Sequence, residues 1–402
     1  MSKEYISRPD YIERIRPFIG KDIIKVLVGQ RRVGKSFLLY QLMDEIQKQN
    51  PEASVIYINK EDYAFRDIHN WKDLYDYIKK ERDKKKYIYL FIDEIQEIEE
   101  FEKALRTLLF EKDYDIYCTG SNATMLSGEL ATLLAGRYIE IKVHSLTYIE
   151  FLKFHRIEDN SDTFLKYVKY GGMPWLIKTG LNDEVVYEYL RNIFNTIILK
   201  DVVERYRVRN VTILRNLVLF LADNIGSIVS AKRISEYLKS QRIEISVKVV
   251  IEYLGHLSDV MLVQRVKRRD ITGRKIFEIG EKYYFNDTGI RNSLIPYRQD
   301  DLNKLFENMV YTHLITRGYS VAVGQSENKE IDFVAEKHGN KAYFQVAYLI
   351  AEQKTHDREF GNLLAIKDNW PKYVISSDEM IGGSYEGVKH IHIREFLTKT
   401  DI

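Results

Sequence analysis

Gly29-Gln30-Arg31-Arg32-Val33-Gly34-Lys35-Ser36 places two glycines, a lysine and a hydroxyl at the spacing G-x-x-x-x-G-K-[ST]. That spacing wraps backbone around a chain of phosphates. Gly29 and Gly34 let the segment curl so that successive N–H groups face inward, and the helix opening at Phe37 presents its positive end to the same place. Lys35 is expected to reach the β- and γ-phosphates, and the Ser36 hydroxyl to ligate Mg²⁺. A second constellation, Asp93-Glu94, closes an apolar run. The first carboxylate is expected to hold Mg²⁺ with Ser36, and the second to polarise an attacking water. Two further positions are candidates for phosphate chemistry. Asn122, in Gly120-Ser121-Asn122, is the expected γ-phosphate sensor, with Ser121 as its alternative and a plain Asx turn as the structural reading. Arg137 is either a charge-stabilising arginine or a surface residue. Arg31 and Arg32 are left open between phosphate, a partner and solvent. Lys35, Glu94, Asn122 and Arg137 thus form the expected catalytic set.

These groups need a scaffold that brings chain-distant residues to one edge. Ile23–Val28, Ser54–Asn59, Tyr87–Ile92, Asp115–Thr119 and Tyr138–Val143 are β-branched or aromatic runs, and stretches of helical spacing separate most of them. Five strands alternating with helices predict an α/β domain built on a parallel sheet. Ligand then lies at the carboxyl ends of the strands, where the loop and Asp93-Glu94 fall.

With 402 residues, 45% hydrophobic and 30% charged, the chain is expected to hold more than one domain. A net charge of +2 excludes a whole-protein field directed at nucleic acid or membrane. The lone Cys118 excludes an internal disulfide and fits a reducing cytoplasm. Met1-Ser2-Lys3-Glu4 lacks the apolar core of a signal, and the run Leu217–Ala222 is too short to span a bilayer. No membrane partner is expected.

Residues 1–144 read as the nucleotide domain and 145–209 as a helical lid or connector, interrupted at Gly171-Gly172-Met173-Pro174. Residues 210–295 offer helices near 213–223, 232–240 and 246–257, then strands near 261–268, 275–279 and 282–285. Three helices and a ribbon are the parts of a winged helix. Lys200 to Lys275 carries sixteen Lys/Arg against eight Asp/Glu, and Arg265, Lys267, Arg268, Arg269 and Arg274 cluster in the expected wing. DNA or RNA contact through this wing and contact with protein both stay open. Residues 296–402 run helix, strand, strand with an acid, strand, the layout of metal-dependent PD-(D/E)XK nucleases. Glu307, Asp332 and Gln345 stand at the site positions, but Ala347 stands where a lysine belongs, with Lys354 as a nearby substitute. His390 and His392 alternate on a late strand without a nameable third metal ligand.

The loop, Phe91-Ile92-Asp93-Glu94, Thr119-Gly120-Ser121-Asn122, Leu134-Ala135-Gly136-Arg137 and Gly171-Gly172-Met173-Pro174 together resemble a bacterial and archaeal family of AAA-type P-loop ATPases. Members of that family carry a C-terminal domain of unknown function. Leu199 to Tyr206, Lys282 to Gly289, Glu330-Ile331-Asp332-Phe333-Val334 and Phe344 to Tyr348 extend the likeness over nearly the whole chain. The resemblance implies ATP and Mg²⁺ as cofactors, a winged-helix middle and a degenerate nuclease-like end. Arg8-Pro9-Asp10 is similar to the lead-in with which related signalling ATPases cradle adenine, so Arg8 joins the expected nucleotide contacts. Oligomeric state is left open.

Overall fold

Each of the five apolar runs forms a strand: β1 (Ile24–Val28), β2 (Ser54–Asn59), β3 (Ile88–Asp93), β4 (Tyr114–Gly120) and β5 (Tyr138–Lys142). They make the expected parallel sheet, in the order β2-β3-β4-β1-β5. Because β4 lies between β1 and β3, the loops leaving these three strands emerge side by side. α1 (Pro9–Ile15), α2 (Lys35–Gln49), α3 (Trp71–Glu81) and α4 (Phe101–Glu111) complete this part. α4 shows why such segments become helices on a sheet. Ala104, Leu105, Leu108 and Leu109 recur at three- and four-residue spacing and are all buried. Burying a leucine contributes about 1.5–3 kcal/mol relative to leaving it in water.

β1 is buried at every position, although Lys25 lies within it. Its ammonium pairs with Asp115 on the neighbouring β4, and both side chains are fully buried. Asp115 also accepts from Gly20 N–H at 2.8 Å and the Tyr117 hydroxyl at 2.7 Å. This set satisfies a charge at the strand ends opposite the phosphate loop.

The computed structural model describes residues 5–83, 86–122, 134, 136–271, 276–326, 329–350, 352–378 and 383–399. The chain divides into two units, Met1–His144 with Asp259–Met261, and Ser145–Ser258 with Leu262–Ile402. The second begins with α5 (Tyr148–His155), α6 (Ser161–Tyr170) and α7 (Asp183–Thr196), the last running into a π-helical stretch, Ile197–Glu204. Then come α8 (Val211–Asp223), α9 (Ala231–Ser240), α10 (Val247–Asp259), β6 (Val263–Asp270), β7 (Ile276–Phe285), α11 (Thr288–Leu294) and α12 (Leu302–Thr316). It ends with β8 (Ser320–Ser326), β9 (Lys329–Lys337), β10 (Asn340–Val346), α13 (Gln353–Leu364), β11 (Lys372–Ser376), β12 (Gly383–Tyr385), β13 (Val388–His392) and α14 (Ile393–Thr398).

Here the structure departs from three consecutive modules. The antiparallel β6–β7 ribbon joins the nuclease-like strands in one eight-stranded sheet, ordered β12-β13-β11-β10-β9-β8-β6-β7. Arg268–Asp270 of β6 pair in parallel with Val323–Gln325 of β8, so the boundary expected after residue 295 lies within a continuous unit. The boundary expected after residue 209 is bridged by two glycines. Gly171, at φ 71°, lets the chain pass so close that an added Cβ would lie 2.3 Å from Asp287 Oδ1. Asp287 in turn accepts from Gly172 N–H at 2.8 Å while capping α11 through Ile290 N–H at 3.0 Å. The fully buried Arg291 of α11 donates to Ala222 O at 2.9 Å and to Asp301 at 2.8 Å. Asn292 reaches Val168 O at 3.0 Å. One short helix thus ties α6, α8 and the lead-in to α12 together. No helix among the described residues is long and apolar enough to cross a membrane.

Candidate nucleotide site

The loop runs from the end of β1 to the start of α2. Gly29 is obligatory, because an added Cβ would meet Val143 O at 2.3 Å. Gly34 sits at φ 96°, a conformation that L side chains rarely adopt, and starts α2. Lys35 Nζ turns back into the loop, donating to Gly29 O at 3.0 Å and Gln30 O at 3.3 Å, and lies 3.6 Å from Glu94 Oε1. Gln30 is 1% exposed, and neither atom of its side-chain amide has a hydrogen-bond partner. An orphaned buried amide within a phosphate-type loop is a feature that a polar ligand would satisfy.

β3 delivers Asp93 and Glu94 to this loop. Asp93 is hydrogen-bonded by the Ser36 and Thr119 hydroxyls, and by Tyr57 Oη at 3.3 Å. Burial pushes its carboxyl above the ordinary range, opposed by the Ser36 and Thr119 bonds. The Ser36 hydroxyl and Asp93 carboxylate are adjacent hard oxygen donors, which suits Mg²⁺. The chain then turns sharply. Glu94 adopts φ 54°, and its N–H donates to Thr119 Oγ1 at 2.9 Å. One buried threonine on β4 therefore fixes both acids. Gln96 Nε2 holds Glu94 Oε2 at 2.6 Å and also reaches Ser121 Oγ at 3.3 Å. Burial would raise the Glu94 carboxyl, but Lys35, Gln96 and Arg31 together hold it below the ordinary range. It is a carboxylate ready to accept a hydrogen bond from water.

Thr119 and Gln96 were not singled out by the sequence. Thr119 reads there as one more β-branched residue in a strand, and its significance rests on β4 being the neighbour of β3. At the tip of β4, Ser121 Oγ accepts from the same Gln96 amide that holds Glu94, while Asn122 lies buried beside it. Arg31 is 7% exposed, with Nη1 3.1 Å from Glu61 Oε1. Arg32 is exposed at φ 70°. Val33 is buried, and Phe37 is exposed at the start of α2. Arg8 is buried and braces the loop. Its guanidinium donates to Val33 O at 3.0 Å and, from both terminal nitrogens, to His144 O at 3.1 Å.

Arg137 lies away from this loop within its own chain. It precedes β5, whose Tyr138 pairs with Ile24 at the start of β1, whereas the loop leaves β1 after Val28, opposite Lys142. At about 3.3 Å per residue the two ends lie about 15 Å apart. The Arg137 guanidinium instead covers the Phe110 ring at 4.8 Å. Ala135 of the same motif lies outside the described residues.

The residues expected to form the nuclease-like site also come together, around a lysine from an unexpected strand. Lys282 of β7 places Nζ 2.6 Å from Glu307 Oε1, 2.7 Å from Glu330 Oε1 and 3.4 Å from Asp332 Oδ1. Tyr284, two residues on and on the same face, donates to Glu307. Gln345 accepts from Asp332 N–H at 2.7 Å and donates to Glu359 at 2.6 Å. Burial pushes Glu307 up to about 7 against the pull of Lys282. Burial would lower the Lys282 ammonium, but the Glu307, Asp332 and Glu330 carboxylates raise it above its ordinary range. Among the described residues no three His, Cys, Asp or Glu side chains are arranged to hold a metal ion. The ammonium takes the centre. Ala347 is buried, and the Lys354 side chain lies outside the described residues. His390 Nε2 is 2.9 Å from Ser376 Oγ.

Two of the five cations of the expected wing are paired with acids. Arg265 pairs with Glu281 at 2.5 Å, Arg269 with Glu336 at 2.9 Å, and Arg268 donates to Gln325. Arg274 lies outside the described residues.

Residues 21–152 match the AAA domain family, and residues 161–301 match a domain of unknown function (DUF8612). An uncharacterized protein of Haemophilus influenzae is 37% identical over 99% of this chain and 100% of its own length. One of Methanocaldococcus jannaschii is 30% identical over 86% of this chain and 79% of its own. Among solved structures, the Walker-type ATPase paby2304 of Pyrococcus abyssi is similar at a TM-score of 0.50 and 15% identity. That similarity covers 72% of this chain and 96% of that one.

Proposed function

We propose, for a chain that belongs to the family of AAA-type P-loop ATPases joined to a domain of unknown function, that it binds Mg²⁺-ATP at Gly29–Ser36 and hydrolyses it. The observation that carries this reading is the bonding of Asp93 to Ser36 and of Glu94 toward Lys35, with Thr119 tying the two acids together. Bound Mg²⁺, held by Ser36 and Asp93, would neutralise charge on the phosphates. Lys35 would trade the Gly29 and Gln30 carbonyls for β- and γ-phosphate oxygens. Glu94 orients the water and takes its proton as the oxygen attacks the γ-phosphorus. The bond to the bridging oxygen breaks, and its electron pair leaves with ADP. Lys35→Ala is expected to lose nucleotide binding in a fluorescent-nucleotide titration. Glu94→Gln is expected to keep binding and lose turnover. Wild-type hydrolysis in Glu94→Gln would sink the role given to that carboxylate.

The nucleotide state is read as controlling what the C-terminal unit contacts. Nucleic acid is supported by the excess of Lys/Arg between Lys200 and Lys275. Protein is favoured by the ion pairs already made by Arg265 and Arg269, and by exposed Tyr237, Val247 and Ile251 on α9 and α10. DNA, RNA and cell extract offered in parallel in ATP and ADP states distinguish them. Steeply salt-dependent binding to a nucleic acid would favour the first. A metal-dependent nuclease is the third reading, tested by Mg²⁺- or Mn²⁺-dependent cutting that Asp332→Ala abolishes. A cytoplasmic setting agrees with the single buried thiol, Cys118.

A further inference from the structure

Arg31 stands in the phosphate loop, and its guanidinium reaches Glu61, just past β2, at 3.1 Å. β1 and β2 are not neighbours. β4 and β3 lie between them. Lys60 N–H donates to Asp93 O at 3.2 Å, continuing the β2–β3 pairing one residue past β2, so Glu61 leaves from the same sheet edge as Asp93 and Glu94. The Arg31–Glu61 pair therefore spans the strand ends that carry Asp93, Glu94 and Thr119. Arg31 is also among the charges that hold Glu94 below its ordinary range, with Lys35 at 3.6 Å from that carboxylate. A phosphoryl group bound by Lys35 and facing a water on Glu94 would lie at these strand ends.

Other arginines are less well placed. Arg137 is at the opposite strand ends, Arg8 is bound to backbone carbonyls, and Arg32 faces solvent. Arg31 has a partner it can leave, since Glu61 is half exposed and water can solvate it once released.

We propose that Arg31 is the charge-stabilising arginine of hydrolysis, supplied by the phosphate loop of the same chain and held by Glu61 until a γ-phosphate replaces that carboxylate. This rests on the ATPase reading above. The guanidinium forms no covalent bond. It donates to the γ-phosphoryl oxygens while the bond to the bridging oxygen breaks, the water proton passing to Glu94 and the electron pair leaving on ADP.

The test uses the full-length chain and its Arg31→Ala, Arg31→Lys and Glu61→Gln variants. Steady-state turnover and the affinities for ADP and a non-hydrolysable ATP analogue are measured. Arg31→Ala is expected to lower kcat by about 10³-fold. It should also lose about tenfold or more of the preference for the ATP analogue over ADP, with ADP affinity changed less than about threefold. Arg31→Lys should restore only a minor part, since an ammonium lacks the fork. Glu61→Gln should raise the preference for the ATP analogue, because the competing carboxylate charge is gone. Mixing Arg31→Ala with Lys35→Ala chains should restore no activity, since both lesions fall in one chain's site. Turnover of Arg31→Ala within about tenfold of wild type, or restoration on mixing, overturns the assignment. If the wild type binds ATP but does not turn it over, the hydrolysis reading fails. The analogue-to-ADP preference still decides whether Arg31 meets the γ-phosphate, and an unchanged preference in Arg31→Ala overturns it.

Discussion

Replacing Lys282 by methionine keeps the stem and removes the charge from a cluster of three carboxylates. The Glu307 and Asp332 side chains are 7% and 13% exposed and Glu330 is 35% exposed, so Glu330 can turn to water and the other two cannot. Removing one partner of a buried ion pair costs about 3–5 kcal/mol, because the remaining charge is left without compensation. Proton uptake is the available relief. Burial already pushes Glu307 up to about 7 in the presence of Lys282, and losing the ammonium raises it further. A carboxyl raised in the folded state is neutral below its ordinary value and destabilises folding as pH climbs from there through the folded value. Each pH unit in that window is worth about 1.4 kcal/mol per carboxyl. The variant's excess loss over wild type through Glu307 therefore opens as pH climbs past about 7, so it should be larger at pH 8 than at pH 5.5. About 4 kcal/mol corresponds to a fall of about 8–16 °C in the unfolding midpoint of a unit of this size. Calorimetric scans of wild type, Lys282→Met and Lys282→Arg at both pH values measure it, with arginine expected to retain part of the stability. Midpoints within about 2 °C of wild type at both pH values, or an equal loss at both, would refute the electrostatic account.

Asp115→Ala should destabilise the first unit by about 3–5 kcal/mol by stranding Lys25, whereas Lys25→Met with Asp115→Leu should recover part of that loss, less about 1–3 kcal/mol for the Tyr117 hydroxyl left without its acceptor. Urea melts of the two variants distinguish a required charge from a replaceable one. Gly171→Ala forces a left-handed alanine against Asp287 and disturbs the bonds to Gly172 and Ile290, a cost of about 2–5 kcal/mol. Circular dichroism melts should show this loss, and Gly180→Ala, at φ 60° with open space around it, should lose no more than about 1–2 kcal/mol.

Local chemistry made the nucleotide half readable before any coordinates. Glycine spacing, an acid pair closing an apolar run and alternating strands each follow from short-range rules, and they converge on one sheet edge. Thr119 and Gln96 escaped because their value depends on which strand neighbours which, a fact no local pattern carries. Arg137 lies away from the loop of its own chain for a related reason. A motif before a strand and a motif after one look alike in sequence, yet a parallel sheet puts them at opposite ends. In the C-terminal half α8, α9, α10, α12 and β6 to β10 were foreseen, whereas α11, α13, β11, β12 and α14 were not. Arg265 and Arg269 read as a basic wing, and their acids, Glu281 and Glu336, come from β7 and β9. Lys282 carried a faint signal. Lys282 and Tyr284 alternate on one face of β7 next to the aromatic Tyr283 and Phe285, which calls for a buried acid, and Glu307 supplies it.

The contact of Gly171 and Gly172 with Asp287 constrains the ancestry of this chain as well as its stability. Two short words more than a hundred positions apart share one set of atoms, so neither can drift alone. A bulkier residue at 171 would meet the Gly289 backbone nitrogen at 2.6 Å as well as Asp287, and a shorter residue at 287 would uncap the helix at 288. Across relatives the two sites should change together or not at all. A chimera that takes residues 145–209 from one member and 262–402 from another should fold only when the glycine pair and Asp287 come along as a matched set.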